Sequence, residues 1–246
     1  MVKIYRVSLI TIIFTLFIYV NAEIQAFDFW IYNPDIPEFE LIEDVNERKK
    51  AFIEYVRPGI EKENVYLLEL RKRVLHLKNK SFLSQADKYM LDKLKKKYKI
   101  KNTNSELIDE LLEKIDIIPT SLALAQAATE SGWGRSRFSK KYYNFFGIWC
   151  FKKGCGVVPE NRDDKKKHEV AKFYSLQDAI RYYMHNLNSH WAYNDFRKIR
   201  AKLRKEKDSL DGFKLAEGLL RYSGIENKYV NSLKSIIKKN NLHIYD

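Results

Sequence analysis

A chain of 246 residues, 45% hydrophobic and 31% charged, has enough apolar material for one good-sized core. It is too apolar to remain disordered and too charged to be a polytopic membrane protein. The formal net charge of +13, with runs such as Lys95–Lys97 and Lys165–Lys167 along the chain, favours an anionic partner: nucleic acid, acidic lipid or an anionic wall polymer. No helix-turn-helix signature, zinc spacing or glycine-rich phosphate loop singles out nucleic acid, and a solvated lysine surface accounts for the same charge.

At the N-terminus, Lys3 and Arg6 precede an uncharged, mostly apolar run from Val7 to Val20. Val20-Asn21-Ala22 then supplies small residues at cleavage spacing before Glu23. This is the pattern of a secretory signal peptide over residues 1–22. The run is short for a spanning helix, and an uncleaved anchor in the inner membrane, facing outward, is the alternative. Export places the remainder in the periplasm or cell envelope, with membrane contact only if the segment stays uncleaved. Cys150 and Cys155, in WCFKKGCG, then read as a local disulfide around a small loop. His168 and His190 complete no familiar metal spacing, so neither metal nor organic cofactor is expected.

Residues 24–41, with Pro34 and Pro37, read as an extended arm. Helical spacing of Val45, Phe52, Ile53 and Val56 predicts a helix over 43–57 that Pro58 stops, and a second follows over 61–77. Ser84 with Asp87 forms a capping-box pattern for a third helix to about Tyr98. KIKNTN is a linker, and Ser105 to Ile115 a fourth helix. Pro119 is placed as a first-turn proline for the Ala-rich helix TSLALAQAATES, which Gly132 and Gly134 end. The aromatic stretch KKYYNFFGIWCFKKGCGVV predicts strand or loop, and residues 157–174 a β-hairpin around the polar turn NRDDKKK. Ser175 and Asp178 open a further helix. Others fit Asp195–Lys205, Gly212–Tyr222 and Asn227–Lys239. The fold class is α+β and mainly helical, with one β insert. Its parts are an arm and helical extension over 23–104 and a second segment over 105–246.

Glu130 is the candidate residue for chemistry, set against an ordinary exposed glutamate near a helix end. Its helix face holds Ala123 and Ala127, with Gln126 one turn back, and small residues there would let a bulky substrate approach the backbone. An acid among apolar groups, with Trp133 close by, has its ionised form desolvated, which raises its pKa and makes it a proton donor near neutral pH. An exposed glutamate is disfavoured at that position, because the C-terminal end of a helix repels an anion.

The string LAQAATESGWGRSRF followed by YYNFFGIWC resembles the core motif of glycoside hydrolase family 73 glucosaminidases, A-x-x-E-S-G-W-G and then N-x-F-G-I. CGVVPENRDDKKKHEVAKFYS, NLNSHWAY, RYSGIENKYVNSL and the earlier AFIEYVRPGI are closer still to the Bax-type branch of that bacterial superfamily. The resemblance runs from residue 36 to about residue 240. It implies a lysozyme-like fold, with a catalytic acid at the end of a central helix and a β-hairpin across the cleft. Glu130 matches that acid. For the second carboxylate Glu169, on a strand face with Ala171 and Phe173, is the first choice and Glu160 the competitor. Tyr222, in RYSG, matches a tyrosine near the scissile bond. Trp133, Asn144 and Glu160 are candidate substrate-binding residues, and Gly147 permits a close turn. The implied partner is the glycan strand of peptidoglycan. The implied reaction is hydrolysis of the β-1,4 bond after N-acetylglucosamine. The alternatives are a lytic transglycosylase and a non-catalytic wall-binding protein on the same fold.

Overall fold

The computed structural model describes residues 34–102, 105–159, 168–206 and 209–246. The expected signal peptide, the start of the arm, Glu160 and the polar turn NRDDKKK lie outside the described residues. Pro34–Asp246 form one compact unit, with a core of its own. A unit of that size with its own core can fold on its own.

The first long element is helix α1, Val45–Lys78, which Asp44 caps by accepting from the N–H groups of Asn46 and Glu47. It runs unbroken through Pro58, where the sequence predicts a stop. Phe52, Tyr55, Val56, Gly59, Ile60, Glu63, Asn64 and Leu67 form a buried stripe that continues across the proline. Burying each large apolar side chain in that stripe contributes about 1.5–3 kcal/mol, which together outweighs the roughly 3 kcal/mol cost of an interior proline. Helix α2, Gln85–Lys97, starts at the expected capping box of Ser84 and Asp87. Helix α3, Ser105–Lys114, follows.

Helix α4, Thr120–Ser131, is the central element, with ten of its twelve residues buried. Ala123, Ala125, Ala127 and Ala128 are 0–1% exposed. This corrects the expectation that small residues on this helix admit substrate: they let neighbouring helices approach. Gly212 belongs to the same packing, since a Cβ there would meet Ser121 Oγ at 2.1 Å. Pro119 is the N-cap, one position earlier than expected, and offers no side-chain cap. Asp246 takes that role. Its carboxylate accepts from the Ser121 N–H at 2.8 Å, the Ser121 hydroxyl at 2.6 Å and the Gly212 N–H at 3.0 Å.

A short helix α5, Arg137–Tyr142, begins at Ser136. It occupies part of the stretch expected as strand or loop, because Ser136 supplies a cap by accepting from the Ser139 N–H. The strands β1 (Trp149–Cys150), β2 (Gly156–Val157) and β3 (Glu169–Ala171) form an antiparallel sheet in the order β1-β3-β2. The predicted hairpin is the β2–β3 pair, with Val157 opposite Val170, and β1 adds the other edge. Helices α6 (Leu176–Ser189), α7 (Asn194–Lys205), α8 (Gly212–Leu215) and α9 (Glu226–Lys239) complete the unit. Residues Ala216–Tyr222 form a 3-10 segment where a continuous α-helix was expected, and Leu219 breaks the helical backbone there. No helix among the described residues is long and apolar enough to cross a membrane.

Candidate active site

Helix α4 ends in Glu130-Ser131-Gly132-Trp133-Gly134, a turn that fixes where Glu130 points. Ser131 is fully buried. Its hydroxyl donates to the Ala127 carbonyl at 2.6 Å and accepts from the Gly134 N–H at 2.8 Å. Gly132 closes the helix in the left-handed region at φ 58°. Gly134, at φ 82°, passes so close to Phe39 that a Cβ would lie 2.2 Å from its ring.

The turn Asn144-Phe145-Phe146-Gly147 faces that helix end. Gly147 has φ 61°, and a Cβ there would come within 2.5 Å of Glu130 Oε2. Glycine is required both by the backbone and by the nearness of the carboxyl. Phe146 stacks on Tyr183 with centroids 4.0 Å apart. Its carbonyl accepts from the Tyr222 hydroxyl at 2.8 Å. Tyr222 in turn stacks on Tyr229 at 5.5 Å, the rings almost parallel.

A buried hydrogen-bond chain reaches Glu130 from behind. Tyr183 Oη donates to Gln126 Oε1 at 2.7 Å, and Gln126 Nε2 donates to Tyr229 Oη at 3.1 Å. The Tyr229 hydroxyl completes the chain at the Glu130 carboxyl. Burial pushes the Glu130 carboxyl above its ordinary value, and the Tyr229 hydrogen bond pulls it back part of the way. Burial likewise raises Tyr183, Tyr193, Tyr222 and Tyr229, and the charge of Glu130 raises each further. These phenols therefore stay protonated at neutral pH and act as donors around one partly buried acid.

The Glucosaminidase family model, described as mannosyl-glycoprotein endo-beta-N-acetylglucosaminidase, matches residues 105–242. The chain belongs to the glucosaminidase family. Protein bax of Escherichia coli (strain K12) is 33% identical over 208 residues, covering 83% of this chain and 74% of that protein. The catalytic domain of the autolysin Auto from Listeria monocytogenes is a more distant likeness, at 22% identity and TM-score 0.40, over 71% of this chain and 96% of that one.

Within this glucosaminidase, the other sequence candidates fall into different places. Glu169 is 7% exposed. Its two carboxylate oxygens accept from the Gly154 N–H at 2.9 Å and the Gly156 N–H at 2.8 Å. Cys150 and Cys155 are joined in a disulfide, so Glu169 and the disulfide hold one loop. The three lie close enough together to suggest a metal site, but sulfurs bonded to each other offer no thiolate ligands.

Asn144 is 2% exposed. It donates to the Ile148 and Ala171 carbonyls at 2.9 and 2.8 Å and accepts from the Ile148 N–H at 2.9 Å. Through these bonds the side chain, a substrate-binding candidate in the sequence, ties the Gly147 turn to β3. Trp133, at φ 58°, packs edge-on against Phe52 of α1 and lies under Lys49 Nζ. The side chain that bonds the Glu130 carboxyl is Tyr229. His190 is exposed, and its Nδ1 accepts from the Ala192 N–H to cap a 3-10 turn.

Tyr183, Tyr193 and Tyr229 are site residues to which the sequence reading gave no part, and Gln126 it placed beside Glu130 without a role. One signal was present: Gln126 is a lone amide in an Ala-rich helix, four residues before Glu130, and a buried amide needs partners.

Proposed function

We propose that this chain is an exported endo-β-N-acetylglucosaminidase that cleaves the β-1,4 bond after N-acetylglucosamine in peptidoglycan, with Glu130 as general acid. The observation that carries this reading is Glu130 itself: partly buried, raised in pKa, held by Tyr229 and faced by a glycine, within the family's E-S-G-W-G motif. A protonated carboxyl so placed delivers its proton to the leaving glycosidic oxygen. The start of the family match at residue 105 supports a division between a helical extension and a catalytic segment.

The oxocarbenium-like charge then needs a partner. Both oxygens of Glu169 are occupied by backbone N–H groups, which favours a positioning role for it. In this reading the substrate's own acetamido oxygen attacks the anomeric carbon, and Tyr222 lines the site beside it. The same observation favours a second reading, a lytic transglycosylase, which also works with one carboxylic acid.

Two measurements test these roles. Tyr229→Phe removes a hydrogen bond that favours ionised Glu130, so the acid's pKa rises. A general acid works while protonated and fails as pH rises through its pKa. The alkaline limb of kcat against pH should therefore move to higher pH in Tyr229→Phe; an unmoved limb removes Glu130 as the titrating acid. Glu169→Gln replaces an acceptor by a group that offers an N–H to Gly154 or Gly156. It should destabilise the protein by about 1–3 kcal/mol, read by denaturant unfolding. Its turnover should fall far less than that of Glu130→Gln. A loss equal to that of Glu130→Gln, in folded protein, would restore Glu169 as the water-activating base.

A further inference from the structure

We propose that the end of the α1–α2 hairpin is a docking surface for an anionic phospholipid membrane, a role separate from the glycosidase reading and independent of it. Residues 71–101 hold twelve Lys and Arg against two Asp, a net +10 of the chain's +13. This block precedes the segment that the family model matches. Ion pairs answer only part of it: Arg71 meets Asp116, Lys72 meets Glu69, Lys78 meets Asp109 and Lys80 meets Asp87.

Helix α2 turns Leu91 and Leu94 inward and leaves Lys88, Tyr89, Lys93 and Lys96 exposed. Large apolar side chains stand among these charges. Phe82, in the loop between the helices, is 77% exposed, and Tyr89 is 62% exposed. Lys88 Nζ lies 5.9 Å from the Phe82 ring centroid and Lys93 Nζ 4.5 Å from that of Tyr89. Each ring therefore carries a cation at its side. Lys72, Arg73 and His76 of α1 line a notch of about 360 Å³ with Asp87 and Met90 of α2, next to the same loop.

Charge alone would suit any polyanion. The exposed Phe82 and Tyr89 separate the candidates. A hydrated poly(glycerol phosphate) gives Phe82 little apolar surface to bury, whereas a bilayer takes the ring into its acyl boundary and leaves the ammonium groups among the lipid phosphates. Long lysine stems suit that interface, since their methylenes lie along apolar surface with the charge in water.

The test uses residues 34–246, which lack the apolar N-terminal run, in sedimentation with vesicles of phosphatidylglycerol mixed with phosphatidylcholine. Vesicles of phosphatidylcholine alone are the reference. Binding should require phosphatidylglycerol and weaken as salt rises. Each basic residue at such a surface contributes roughly fivefold. The triple variant Lys88→Gln, Lys93→Gln, Lys96→Gln should then bind on the order of a hundredfold more weakly. Phe82→Ser should lose roughly tenfold, the scale of one buried aromatic ring, with the salt dependence unchanged. Circular dichroism should show both variants folded, because these side chains are exposed. Equal binding to both vesicle types, or no effect of the triple variant, would overturn the proposal. Capture of a soluble poly(glycerol phosphate) or duplex DNA, with no binding to the vesicles, would also overturn it.

Discussion

Glu130→Gln should lose turnover on peptidoglycan by on the order of 10²-fold or more, the scale of general acid catalysis, while remaining folded. The amide keeps the shape of the side chain and can still accept from Tyr229, but it has no proton to give. Stability should move the other way. Burial holds the folded-state pKa of Glu130 above its unfolded value. The group therefore favours folding below its unfolded pKa, and that contribution is lost as pH rises through the folded pKa. Above that folded pKa the ionised carboxyl opposes folding. The Gln variant should melt at the same or a higher temperature at neutral pH, with the advantage fading toward acid pH. Thermal melts at several pH values check this. A variant that is both inactive and unfolded at neutral pH would mean that Glu130 is a structural residue.

The largest loss of stability should come from Arg200, which is 1% exposed although charged. Nη1 donates to the Ile117 carbonyl at 2.9 Å, the Asp116 carbonyl at 3.3 Å and Asn188 Oδ1 at 2.6 Å. Nη2 donates to the Glu113 and Lys114 carbonyls at 3.0 and 3.2 Å. These are the last carbonyls of α3 and the first of the connection into α4. Asp116, 2% exposed and bonded to Arg204 at 2.7 Å, supplies the buried counter-charge. Burial lowers the Arg200 pKa to about 10, which still leaves it charged at neutral pH. Arg200→Met keeps much of the volume but leaves four backbone carbonyls and the Asn188 amide oxygen without their donor. The expected cost is about 3–5 kcal/mol, since several buried acceptors are left unsatisfied at about 1–3 kcal/mol each and some of them find other partners. In a unit of this size that is a fall in Tm on the order of 10 °C. The start of α4 should loosen with it, so amide exchange near Ile117 and Ile118 should speed up. A Tm within about a degree of the parent would show that water or a neighbouring side chain replaces Arg200.

The parts of the fold legible in the sequence are those set by local chemistry. Ser84 and Ser175 announce their helices because a hydroxyl there meets an N–H three residues on. Gly132 announces the end of α4 because an L side chain resists the left-handed region. Pro58 misleads because the local cost of a proline is visible in the sequence and the tertiary stripe that outweighs it is not. Helix α5 is hidden by its aromatic residues, whose strand preference loses to the Ser136 cap. At the site, Glu130 and Gly147 are legible through a motif that links helix end and turn. The tyrosines are not, because Tyr183, Tyr193 and Tyr229 reach Glu130 from other elements, and buried tyrosines in helical patterns read as core. The role of Glu169 is illegible for a related reason. A carboxylate on a strand looks the same in sequence whether it faces a cleft or accepts from two glycine N–H groups.

The most direct test of Glu130 as the acid that cuts after N-acetylglucosamine is mass spectrometry of purified peptidoglycan digested in parallel by the parent protein and by Glu130→Gln. The account predicts fragments that end in reducing N-acetylglucosamine from the parent and almost none from the variant. Fragments that end in anhydro-sugars would replace hydrolysis by transglycosylation on the same acid. Equal digestion by both proteins, or none by a folded parent, would contradict the assignment of Glu130 as the catalytic acid of a wall glycosidase.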